Sequence, residues 1–193
     1  MRGIHVENVM NTNVQINRLA IHPGFDLENF LAMSHESRIG GATLERLETL
    51  WEEWQEKLSA CIIQAGKISY LAVWLPESVE DSVERAWKAQ ASEGFLIHCL
   101  AQFLCMTVIQ DVLPEIEEGG CAPSPRPSET LRQTMAELGI PYKSETSALL
   151  SRTYAVLTHY PYKGGCEICH LKEQCPKGSG EESSVLLPGF EQA

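Results

Sequence analysis

Several absences narrow what this chain can be. Its first twenty residues hold no uninterrupted apolar run of export-signal length, because Glu7, Asn8, Asn11 and Asn13 interrupt them. The longest apolar stretch elsewhere, Phe95 to Ile109, contains His98, Gln102 and Thr107, so no bilayer-spanning segment is expected. Basic residues are scarce: 15 Lys and Arg against 26 Asp and Glu give a net charge of −11. So acidic a surface repels phosphate backbones, and nucleic acid is not an expected partner. The chain shows no Gly-rich phosphate loop, nucleophile elbow, Glu-x-x-His pair or internal repeat. No substrate follows, and enzymatic activity stays open. These absences leave a soluble, cytosolic, single-domain chain with a protein partner and no membrane. Its 193 residues, 44% of them hydrophobic, suffice for a real core.

The patterning that is present reads as helical. Asp26 suits the N-cap of a short helix to Met33. From Thr43, Leu44, Leu47, Leu50, Trp51, Trp54, Leu58, Cys61 and Ile62 recur at three and four, and Gly66 is the natural stop. Ile68 to Leu75 is ambiguous, because Ile68, Tyr70, Ala72 and Trp74 alternate as a strand would without an obvious partner. Pro76 suits the first turn of a helix carrying Val79, Val83 and Trp87 inward. The most apolar helix follows, from Ser92 to about Ile116, and Pro114 should kink or end it. Ser128 caps a helix closing at Gly139, and Ser144 caps another reaching about His159. The expected fold is all-α: an irregular bundle of five to seven helices with a cysteine-rich C-terminal loop. The division expected is an N-terminal segment (1–25), a helical domain (26–159), a metal-binding loop (160–177) and a tail (178–193).

Seven cysteines, an odd number, are expected to be free thiols or metal ligands in a reducing cytosol. Cys61, Cys99 and Cys105 fall on apolar helix faces, where Cys behaves as a small hydrophobe. The other pattern is sharper: Cys166, Cys169 and Cys175 lie within ten residues, after Gly164-Gly165. Three thiolates so crowded repel one another unless a cation joins them, so a metal centre is the economical reading. A fourth ligand must come from a distance. Cys121, in a Gly-Gly-Cys-Ala-Pro turn, is preferred, His159 is the alternative, and an open position filled by solvent or substrate is a third.

The spacing C-x2-C-x5-C resembles the end of the iron–sulfur loop of the endonuclease III family of DNA glycosylases, C-x6-C-x2-C-x5-C. His159 stands here where that family has its first Cys. The segment also resembles the C-terminal cysteines of RecB-like nucleases that carry a cluster. The resemblance covers about 17 residues and implies a [4Fe–4S] cluster on Cys166, Cys169 and Cys175. It does not extend to a helix-hairpin-helix with a catalytic Lys, nor to an Asp…Glu-x-Lys core, so it implies no DNA activity. Cys175-Pro176 repeats the Cys-Pro ending of bacterial ferredoxin runs.

Zinc is the rival centre, completed by Cys121, His159 or His170. Cys166-Glu-Ile-Cys169-His170 also matches the c-type haem attachment pattern, but Cys175 would then be superfluous. Glu77, Glu80, Asp81 and Glu84 read as a solvated acidic face, His98 as a hydrogen-bonded core histidine, and the four Trp as packing residues. Two roles fit such a centre: electron transfer, and a binding or assembly module that the metal stabilises.

Overall fold

The structure is a computed structural model that describes residues 8–11, 14–116, 121–144 and 147–175. Its centre is an antiparallel sheet, so the protein is mixed α/β and the expectation of an all-α bundle is corrected. The elements follow in the order β1 (Asn8–Asn11), β2 (Val14–Arg18), α1 (Leu27–Ser34), α2 (Gly41–Gln55), β3 (Ser59–Ala65) and β4 (Ile68–Trp74). Then come α3 (Glu77–Ala89), α4 (Ala91–Val112), α5 (Glu129–Glu137), β5 (Ala155–Tyr160) and a short 3-10 turn, Lys172–Gln174. Spatial order along the sheet equals chain order, β1-β2-β3-β4-β5.

The predicted long helix from Thr43 ends at Gln55, and Ser59–Ala65 is a strand instead. Gly66 does adopt the left-handed backbone, φ 63°, that a helix stop would have required. It uses it in the two-residue turn that pairs Ala65 with Ile68. The helix predicted from Ser144 to His159 is likewise replaced, and its second half is β5. Register settles the ambiguity at Ile68: β4 pairs β3 on one side and β5 on the other, with Tyr70 opposite His159. Residues 14–18, in the segment read as N-terminal, pair with β3 and belong to the same sheet.

Helices cover both faces of this sheet, and that explains the misreading. On one face Ala60, Leu71 and Val73, with Ile62, Val156 and Tyr160, meet the helical layer of α1 to α4. On the other, Cys61, Ile63, Tyr70, Ala72 and Leu157 meet Leu131 and Met135 of α5, with Ile140 and Leu150. Strands buried on both faces show a continuous apolar run rather than alternation, and SACII and YLAVW then read as helical.

The caps survive better than the boundaries. Asp26 accepts from Asn29 N at 3.0 Å, and Ser128 from Leu131 N at 3.2 Å. Helix α4, 22 residues long, is apolar enough by length and composition to cross a bilayer. In this fold it is the core helix, with Ile97, Leu100, Leu104, Val108 and Ile109 buried. Phe103 of α4 meets Phe25, Phe30 and Trp51 at ring-centre distances of 5.5 to 6.3 Å, and the Trp51 indole donates to Pro23 O.

Candidate functional site

Strand β5 delivers the thiol segment to one edge of the sheet. Side chains alternate along a strand, so Thr158 and Tyr160 share a face and His159 points to the other. Thr158, fully buried, donates from Oγ1 to Pro123 O at 3.0 Å. Just beyond, His170 N donates to Ser124 O at 2.8 Å. The chain from Cys121 to Pro125 is thus tied to β5 at one residue and to the cysteine loop at the next. Ala122, Tyr160 and Tyr162 each pack against the main core. Two residues separate Cys121 from Ser124, so their Cα atoms are at most about 11 Å apart.

Within the loop the backbone winds through three successive turns. Cys169 N donates to Cys166 O, Lys172 N to Cys169 O and Cys175 N to Lys172 O, at 3.2 to 3.4 Å. Cys166, Cys169 and Cys175 are half-buried, as is Cys121, and none forms a disulfide. Donor chemistry and partial shielding suit a thiophilic ion. Distances do not: among the described residues no three His, Cys, Asp or Glu side chains converge closely enough to hold a metal. The expectation of an assembled metal-binding centre is corrected accordingly. The thiols stand along a winding backbone rather than around a point.

His159 stands apart from this cluster. Its ring lies 5.4 Å from that of Tyr70, on the α5 side of the sheet. Its Nδ1 is buried and has no hydrogen-bond partner among the described residues. Burial, then the Lys163 ammonium, lowers its pKa below the ordinary histidine value. His159 therefore lies on the opposite face of β5 from Thr158 and its bond to Pro123. His170 is exposed and bound to Ser124 only through its backbone.

The remaining cysteines behave as hydrophobes. Burial pushes the Cys61 and Cys105 thiols up to about 12, and raises Cys99, with Glu36 adding to the effect. His98 is hydrogen-bonded, its Nδ1 2.9 Å from Tyr154 Oη. Glu77 and Glu80 of α3 do more than face water: Arg152 pairs with both, and Glu80 accepts from Thr153 N at 2.6 Å. They hold the chain entering β5. The tail, 178–193, lies outside the described residues.

Sequence reasoning missed one concavity. It lies between α2, α3 and α4, encloses about 500 Å³, and is lined by Arg46, Trp54, Arg85 and Glu93 among others. Its residues come from three helices separated in sequence, and no local pattern announces them.

The fold and the thiol segment define a mixed α/β protein, helices on both sheet faces, with a cysteine loop at one edge. No family model, curated protein or solved structure matches the chain.

Proposed function

We propose that this protein is a cytosolic binding or assembly module whose working element is the cysteine loop. Its proposed cofactor is a [4Fe–4S] cluster held by Cys166, Cys169, Cys175 and Cys121, with zinc as the alternative. The observation that carries this reading is the pair of tethers, Thr158 to Pro123 and His170 to Ser124, which bring the segment bearing Cys121 against the loop. Cys121 is preferred over His159 because His159 faces Tyr70 across the strand. As described, the thiols do not converge, so uptake requires the loop to draw in, and folding of residues 166–175 and binding become one event. When bound, the centre would neutralise the thiolates and cross-link two segments that are otherwise tied by the His170–Ser124 bond. An electron-transfer role has no separate structural support, whereas the seating of the loop on the core favours the assembly role.

Anaerobic purification of the full chain followed by iron, sulfide and zinc analysis tests this. Near-stoichiometric iron and sulfide, lost in Cys169→Ser and in Cys121→Ser but kept in His159→Ala, is the expected result. One zinc without sulfide selects the alternative centre. Protein with neither refutes the cofactor reading, and loss in His159→Ala but not in Cys121→Ser refutes the ligand choice.

A further inference from the structure

Within the cysteine loop, one pair of thiols has a geometry of its own. Cys169 N donates to Cys166 O at 3.4 Å, so the two residues are the ends of a single β-turn. The ends of such a turn lie within about 7 Å, Cα to Cα, and a disulfide spans roughly 4.4 to 6.8 Å. The bond closing the turn is longer than the usual N–H···O bond of about 2.7 to 3.2 Å, so little resists a small adjustment. Cys175 is placed differently: its N–H donates to Lys172 O, in a turn that contains neither of the other thiols. Among the described residues no third Cys, His, Asp or Glu side chain converges with the pair.

Access separates the cysteines further. Cys166 and Cys169 are half-buried, and Glu167, Ile168 and His170 around them are exposed. A disulfide of tripeptide size therefore meets this turn from solvent. Cys61 and Cys105, by contrast, are 1% and 2% exposed, and burial pushes their thiols up to about 12. They form almost no thiolate at neutral pH and are inert to exchange.

We propose that Cys166 and Cys169 form a reversible dithiol–disulfide couple, oxidised by exchange with a small disulfide of the glutathione type. One thiolate attacks a sulfur of glutathione disulfide, a mixed disulfide forms and glutathione thiolate leaves. The second thiolate then attacks the protein sulfur of that bond, closing Cys166–Cys169 and expelling the second glutathione. The two thiol protons pass to the departing thiolates. The protein thus loses two hydrogens while one glutathione disulfide is reduced to two glutathiones. The turn favours the closing step, because its ends are already together and no longer loop has to be closed. Oxidation consumes two of the thiolates assigned to the cofactor, so disulfide and bound metal exclude each other. The couple itself requires no metal, and it stands or falls apart from the cofactor.

The test equilibrates the full chain, with a chelator keeping metal off, in buffers of stepped reduced and oxidised glutathione. Free thiols are then alkylated and mapped by mass spectrometry. The expected product has two fewer alkylation sites, a Cys166–Cys169 link and full reversal by reduced glutathione. Cys169→Ser should stop at a mixed disulfide on Cys166, whereas Cys175→Ser should cross-link as the unaltered chain does. In urea, where the turn is lost, the same link should form with a lower equilibrium constant. Four results would each overturn the proposal: both thiols fully alkylatable in excess glutathione disulfide, a link that takes in Cys121 or Cys175 instead, an unaltered chain that halts at the mixed disulfide, or an equal constant in urea.

Discussion

At Gly94 the consecutive helices α3 and α4 approach so closely that a side chain has no room. A Cβ there would lie 2.6 Å from the Cα of Trp87 and 2.7 Å from its ring. The obstacle is backbone, which cannot swing aside as a flexible side chain would. Alanine would gain about 1 kcal/mol of helix propensity over glycine, while overpacking costs typically 1 to 3 kcal/mol. Gly94→Ala is therefore expected to lower stability by about 1 kcal/mol in urea unfolding. A gain would mean that α3 can shift away from α4 freely.

Among the elements, β5 holds the most consequential contacts, because its one buried hydroxyl anchors the segment carrying Cys121. Thr158→Val keeps the shape and removes the donor, leaving Pro123 O unsatisfied at a cost of about 1 to 3 kcal/mol. The expected outcome is a loop that opens more often: faster amide exchange at His170 and faster proteolysis between Tyr162 and Lys172, with α4 protection intact. Unchanged exchange at His170 would show that the loop is seated independently of Pro123. The same strand shows how far the sequence was legible. Asp26 and Ser128 announced their helices through local hydrogen bonds that need no tertiary partner. β3 and β5 did not announce themselves, since burial on two faces erased the period of two and no Gly or Pro separates Gln55 from Ser59. At the site, spacing singled out Cys166, Cys169 and Cys175 but said nothing of Ser124. The bond from His170 to that residue exists only once the sheet is complete. Arg85 and Trp54 line one hollow from two different helices, and no one-dimensional pattern encodes that.

For the whole molecule, the lock between the helical layer and the sheet has a pH signature. His98 of α4 is bonded to Tyr154 at the entrance to β5, and burial lowers its pKa below the ordinary 6.5. Glu80, close enough to raise Tyr154, is itself paired with Arg152. A depressed histidine binds fewer protons folded than unfolded, so its stabilising effect is full above about pH 6.5 and fades as the pH falls below it. Urea midpoints should decline from pH 7 to pH 5.5, and His98→Gln should flatten that part of the profile. A slope unaltered by the substitution would place the titration elsewhere. The sheet carries a further consequence, for biogenesis. Four strands form in chain order, but the fifth arrives only after α3, α4 and α5 have been made. A nascent chain leaving the ribosome must carry the open edge of Leu71, Ala72 and Val73 until Tyr160 emerges, a template for pairing with a neighbouring chain. The cysteine loop, last of all, finds its seat only when that vulnerable interval has closed.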